Sequence, residues 1–216
     1  MHLLATQTGV IDGDAEAIDL GQTPGDIIIV SAADSELASL ARAHDGLPEP
    51  KPSLRLANLM ALGHNLSVDT WIENTARHAR IIIARVLGGR PYWTYGVDRL
   101  TALARQNNIK LALLPGGADP DLELTGLSTM GPAECERIRQ YLAGGGQQNA
   151  ENLLRYLDGN DTAAPPASLP KSAIYRKDGK PGAPLAVITF YRALVEGGLT
   201  APVDALCEAL ELNGLA

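Results

Sequence analysis

Three runs of aliphatic residues constrain this chain more than anything else in it: "DIIIV" at 26–30, "RIIIARVL" at 80–87 and "IKLALLP" at 109–115. Each is short, apolar on consecutive positions and bounded by polar or Gly/Pro-rich segments. A strand that alternates apolar and polar residues hides one face only; a strand apolar throughout must be covered on both. Between these runs lie segments with helical periodicity. "DSELASLARAH" places Leu37, Leu40 and Ala41 on one face, with Asp34 or Ser35 as N-cap. "SVDTWIENTARHA" puts Val68, Trp71, Ile72 and Ala79 on one stripe, and "GVDRLTALARQNN" reads as a further helix. "HLLAT" and "LRLANLMAL" add two more strands to the reading. Alternating strands and helices predict an α/β fold with a parallel, doubly wound, flavodoxin-like sheet. The stretch between Thr6 and Asp26 breaks the alternation, and its "AEAIDL" is expected as an extra edge strand.

The pattern changes after "LPGGADPDLEL". "GPAECERIRQYLAGGG" starts with Pro132 and Glu134 in a first turn and stops at a glycine run, which bounds a helix at both ends. "NAENLLRYLDG" is a second helix. A segment rich in Pro, Ala and Lys follows, then the apolar "LAVITFYR" and a last helix from about 201 to 212 with Thr200 before it. The expected organisation is an α/β domain over 1–128, a helical pair over 129–159, a linker or excursion over 160–184, and the first strand and helix of a further, truncated α/β domain over 185–216.

Composition narrows the functional classes. At 216 residues and 45% apolar, the chain buries a sizeable core. A net charge of −7 argues against non-specific nucleic-acid binding, which needs clustered Lys and Arg. Cys135 and Cys207 are far apart, without metal-ligand spacing. The first ten residues carry no basic leader, so neither a signal peptide nor a membrane span is expected, and the cytoplasm is the expected location. No P-loop, no GxGxxG after a strand, no HExxH and no GxSxG elbow occurs.

What remains is a set of loops at strand ends, where parallel sheets bind ligands. "LGHNLSVD", "LGGRPYWTYG" and "LPGGADPD" follow three strands and are expected at one edge. In a chain with 4% aromatic residues, Tyr92, Trp93 and Tyr95 fall within four positions, near Arg85, Arg90 and Arg99. Rings flanked by guanidinium groups suit a large planar anion, by stacking and by pairing with its carboxylates. The same rings also serve to close the end of a sheet. If the segment is extended, Tyr92 and Trp93 as neighbours cannot both point inward: one ring is expected wedged under the adjacent helix, the other facing the cleft with Tyr95. Arg85 is expected in a structural ion pair, and Arg90 and Arg99 towards ligand carboxylates. His64, Asp119 and Asp121 are weak metal-ligand candidates; a lone histidine favours a plain turn role, and "ADPD" is also ordinary turn chemistry.

"GHNLSVDTWIENTARHARIIIARVLGGRPYWTYGVDRL", "LLPGGADPDLEL", "AVITFYRALVEGG" and "PVDALCEALELNGL" together resemble the N-terminal region of the cobaltochelatase large-subunit (CobN) family, most specifically in "RVLGGRPYWTYGVDRL". The likeness extends more distantly to the porphyrin-binding large subunit of magnesium chelatase. The resemblance implies an ATP-dependent ligase forming nitrogen–metal bonds. In aerobic cobalamin biosynthesis it inserts Co2+, as substrate, into the corrinoid hydrogenobyrinic acid a,c-diamide. It further implies that an AAA+ ATPase motor subunit and its companion, of CobS and CobT type, handle ATP and Mg2+. Such large subunits are several times longer than this chain, which is therefore expected to be an N-terminal fragment, inactive alone. The alternatives are a magnesium-chelatase-type subunit binding protoporphyrin, and a non-catalytic scaffold that docks the ATPase partners.

Overall fold

A computed structural model describes residues 16–117, 119–160, 162–168, 170, 172–176 and 182–216. Four strands, β1 (Ile27–Ser31), β2 (Leu54–Asn58), β3 (Ile81–Val86) and β4 (Lys110–Pro115), form one parallel sheet in the order β2-β1-β3-β4. The chain moves outward from β1 to β2, returns to the other side of β1 for β3, and continues to β4. The winding direction therefore reverses between β1 and β3, where doubly wound sheets open a crevice. Ile27 and Ile81 are paired in register, as are Ile29 and Ile83.

The consecutive apolar residues of each strand supply two cores. Ile28, Val30, Ile82, Ala84, Leu111 and Leu113 face one side. There they meet Val68 and Trp71 of α2 (Asn65–Asn74) and Val97 and Leu100 of α3 (Thr94–Asn107). Ile27, Ile29, Ile81, Ile83 and Leu114 face the other side, against Leu40 of α1 (Asp34–Asp45). The strand residues named here are at most 3% exposed. Each such side chain contributes about 1.5–3 kcal/mol by leaving water, which is why a strand with no polar positions fits only a covered sheet.

Several sequence expectations need correction. The helical pair drawn over 129–159 is not a separate layer. Its members, α5 (Pro132–Gly144) and α6 (Gln147–Leu157), bury Ile138, Tyr141, Leu153 and Leu157 in the same core as α1. That face needs the cover, because of the helices before β4 only α1 packs on it. "AEAIDL" forms no strand at 16–20, and Ile18 is about half exposed; "HLLAT" lies outside the described residues. β2 is shorter than "LRLANLMAL", because the Asn58 side chain accepts from Met60 N and starts a 3-10 turn over Leu59–Leu62. Ala33, not Asp34 or Ser35, precedes α1 as N-cap.

"LAVITFYR" joins no ladder. Its residues 185–191 run without regular structure, with Leu185, Val187 and Tyr191 well exposed. Arg192 starts a short helix, α7 (Arg192–Glu196), ahead of α8 (Ala201–Leu212). An apolar run is a strand only when a neighbour offers it a ladder, and the sheet built here is complete without it.

Candidate functional site

All four strands are parallel, so the loops after β2, β3 and β4 leave from one edge. The loop after β3 is the centre of the group. Gly88 and Gly89 take positive φ values of +88° and +75° and turn the chain sharply at the strand end. The chain then makes a 3-10 turn over Arg90–Trp93 and enters α3.

Trp93 is the ring that goes inward. It is 3% exposed, and its indole N–H donates to Leu62 O at 2.9 Å, tying the loop to the one after β2. Gly96 makes room for it: a Cβ there would lie 2.0 Å from Trp93 Cε2. Glycine inside a helix ordinarily costs about 1 kcal/mol against alanine. At position 96 the order is expected to reverse, with Gly96→Ala destabilising by roughly 1–3 kcal/mol through overpacking. Chemical denaturation measures it, and a stabilised variant would contradict the packing described.

Tyr92, Trp93's neighbour, stays at the rim of the same core. It is half-buried against Gly88, with its hydroxyl 3.7 Å from Met60 Sδ. Tyr95 donates to Asp69 Oδ2 at 2.7 Å, and Arg99 Nε donates to Asp69 Oδ1 at 2.8 Å. The Asp69 carboxylate raises the Tyr95 phenol above its ordinary range, first by accepting its hydrogen bond. Arg90 is more fully engaged. It grips Asp98 through Nε and Nη2 at 3.0 and 3.1 Å and reaches Glu123 at 3.2 Å. The hydrogen bonds it donates to these carboxylates, Asp98 first, push its pKa further up. Arg85 stands apart, in the expected structural ion pair, here with Glu36.

The three metal-ligand candidates do not come together. His64 caps α2, its Nδ1 accepting from Leu66 N at 3.1 Å. Asp121 caps the short helix α4 (Leu122–Leu127), accepting from Leu124 N at 3.0 Å. Asp119 is exposed. Among the described residues no group of three His, Cys, Asp or Glu side chains is placed to hold a metal ion.

The four exposed candidates engage different neighbours: Arg90 pairs with Asp98 and Glu123, Tyr92 meets Met60, and Tyr95 and Arg99 share Asp69. Both arginines are thus paired with carboxylates, and Trp93 is withdrawn into the core. Sequence reasoning missed Asp69, Asp98 and Glu123. The i,i+4 spacing of Tyr95 and Arg99 on α3 was the available signal, since it puts two donors on one helical face in need of one acceptor. Met60 in the 3-10 turn after β2, Leu66 in the first turn of α2 and Leu122 at the start of α4 are 55%, 58% and 86% exposed, so exposed apolar side chains flank these loops.

A doubly wound α/β domain with its loop cluster at the carboxyl edge of the sheet is the class this chain defines. Residues 139–216 match the family model described as CobN/Magnesium Chelatase. The whole chain is 41% identical to the aerobic cobaltochelatase subunit CobN of a Sinorhizobium species and 39% identical to that of Pseudomonas aeruginosa. Its fold matches a solved catalytic subunit of cobaltochelatase from Mycobacterium tuberculosis with a TM-score of 0.69, at 29% identity over 88% of this chain. The chain belongs to the CobN family. It spans 19% and 18% of the two curated relatives and 15% of the solved chain. No helix among the described residues is long and apolar enough to cross a membrane.

Proposed function

We propose that this chain is the N-terminal part of a cobaltochelatase large subunit and that its carboxyl-edge loops form one wall of the corrinoid cleft. The observation that carries the reading is that Arg90, Tyr92, Tyr95 and Arg99 belong to the loop after β3 and the first turns of α3, in a CobN-family domain. Inserting Co2+ into hydrogenobyrinic acid a,c-diamide requires three things: holding the macrocycle, accepting its inner N–H protons, and stripping water from the metal. The loops serve the first. Tyr92 and Tyr95 offer ring faces, and Arg99, held by Asp69 through Nε alone, extends towards peripheral carboxylates. ATP, Mg2+ and the power stroke belong in this reading to an AAA+ motor and its companion, of CobS and CobT type. Residues 185–216 are read as the first segment of a further α/β unit in the long proteins of the family, whose other strands would offer "LAVITFYR" the ladder it lacks here.

The test is corrinoid binding by the full-length protein. Hydrogenobyrinic acid a,c-diamide is expected to bind in preference to protoporphyrin; the opposite preference points to a magnesium-chelatase-type subunit. A charge-assisted hydrogen bond contributes about 1.5–3 kcal/mol, so Arg99→Ala is expected to weaken corrinoid binding about ten-fold or more. Replacing Tyr92 or Tyr95 by Leu should weaken it less, since a stacked ring contributes on the order of 1 kcal/mol. Unchanged affinity in all three folded variants removes the site.

The exposed Met60, Leu66 and Leu122 favour a second reading, in which this edge docks the ATPase partners. Capture of the motor by this edge, with no corrinoid bound there, selects it.

A further inference from the structure

At the amino edge of the sheet, opposite the loop cluster, a cavity of about 260 Å3 opens between the starts of β3 and β4 and the helices α5 and α6. Three cations line it, Arg80, Lys110 and Arg137, with one carboxylate, Glu134. Strand geometry places Lys110 there. Side chains alternate along β4, so Lys110 stands on the face of Ala112 and Leu114, the face that α5 and α6 cover. It is the exposed first residue of the strand, in register with Ile81, and it lines the cavity where that core ends.

Arg137, half-buried on α5, comes from the facing wall. Its guanidinium carbon lies 4.3 Å from the centroid of the Tyr156 ring, and its Nη2 donates to Tyr141 Oη at 3.3 Å and to Ala163 O at 3.4 Å. These partners are all neutral. Among the described residues neither Lys110 nor Arg137 forms an ion pair. The carboxylates nearby are already engaged. Asp158 pairs with Arg80 at 3.6 Å. Glu134 Oε2 accepts from Gly131 N at 3.1 Å at the start of α5, where the helix dipole also favours its charge. Two cations without counter-charges therefore line one cavity, and a half-buried guanidinium in that state gains from an anion more than an exposed one does.

We propose that this cavity binds a phosphate group, with Lys110 and Arg137 matching its two negative charges. A monocarboxylate matches only one of them. The two side chains are also complementary in kind: a guanidinium grips a tetrahedral oxyanion through its fork of N–H donors, and an ammonium meets it as a point charge. The volume lies just below the roughly 300–1,000 Å3 of common ligand pockets. That fits a phosphate on a small body and excludes a tetrapyrrole. The cavity lies at the other edge of the sheet from the loop after β3, so the proposal does not depend on the corrinoid reading.

The experiment titrates this chain with inorganic phosphate, glycerol 3-phosphate and acetate at constant ionic strength and follows amide resonances by NMR. Phosphate is expected to give saturable shifts at Lys110, Arg137 and Tyr156, with a Kd of about 1 mM or tighter and about ten-fold tighter than acetate. Glycerol 3-phosphate binding tighter than inorganic phosphate identifies a phosphorylated small molecule as the source of the group; the reverse order identifies the free ion. Lys110→Met removes one of the two charges at an exposed position and is expected to weaken phosphate about ten-fold. Glu134→Gln keeps an acceptor for Gly131 N and removes the one carboxylate of the wall, so phosphate is expected to bind about three-fold tighter. Arg105→Gln, in the last turn of α3 on the other face of the sheet, removes an equal charge and is expected to change nothing. The proposal is overturned by acetate binding as tightly as phosphate, by no saturable response, by Lys110→Met binding unchanged, or by Arg105→Gln losing as much affinity as Lys110→Met. A Glu134→Gln variant that binds phosphate more weakly overturns it too.

Discussion

Trp93→Ala is expected to be among the most destabilising single substitutions in this chain, costing about 3–5 kcal/mol. The indole is 3% exposed and sits between the loop after β2 and the first turn of α3. Its removal forfeits the buried area, leaves a void shaped by Gly96, and strands the Leu62 carbonyl that accepts the indole N–H. Against a typical total of about 5–15 kcal/mol, that is a large share. At about 2–4 °C per kcal/mol for a domain of this size, the melting temperature should fall by roughly 6–20 °C. Trp93→Phe separates the contributions. It keeps most of the ring and loses the hydrogen bond, so about 1–3 kcal/mol is expected. Denaturant midpoints of the two variants check this; a Trp93→Ala variant within about 1 kcal/mol of the parent would show that the ring is not the wedge.

That wedge was half legible. The expectation that the two rings point opposite ways assumed an extended segment; Arg90–Trp93 is instead a 3-10 turn, both rings pack on the same core, and Trp93 takes the inner place because Gly96 leaves room for it. Gly96 lies three residues after Trp93, where the helix turn brings it under the ring. The sheet was legible because "DIIIV", "RIIIARVL" and "IKLALLP" have no polar face to leave in water. The helical pair was misread as a separate unit for the converse reason. α5 and α6 carry amphipathic patterns that any apolar surface satisfies, and only the sheet's uncovered face decides which one. "LAVITFYR" failed on the same ground, since a ladder needs a partner and local pattern cannot supply it. The neutralisation of Arg90 and Arg99 by Asp98, Glu123 and Asp69 depends on contacts between loops and between helices, which spacing along one segment does not encode.

Glu36→Ala is expected to cost about as much as losing the tryptophan, roughly 3–5 kcal/mol, because it leaves Arg85 buried without its counter-charge. The Arg85 side chain is 16% exposed, and after the substitution it keeps only the hydrogen bond to Gly116 O. The cost does not mean that the pair stabilises the fold. Burial pushes the Glu36 carboxyl up from its ordinary value by more than the Arg85 guanidinium and the nearby Ser31 hydroxyl pull it down. Desolvation therefore outweighs attraction. Replacing both partners by apolar residues, as in Glu36→Leu with Arg85→Met, is accordingly expected to recover most of the loss and to reach or exceed the parent's stability. The pH dependence follows from the same imbalance. A carboxyl whose folded pKa is raised holds its proton more tightly when folded. Its contribution is greatest below the unfolded value of about 4.3 and is lost as pH rises through the higher folded value. Parent stability relative to Glu36→Gln should thus decline as pH rises above about 4.3 and level off beyond the folded value. Urea denaturation of the three variants and the parent across that range decides it. A double variant as unstable as the single one, or a stability difference that grows with pH, would mean that the ion pair more than offsets its own burial.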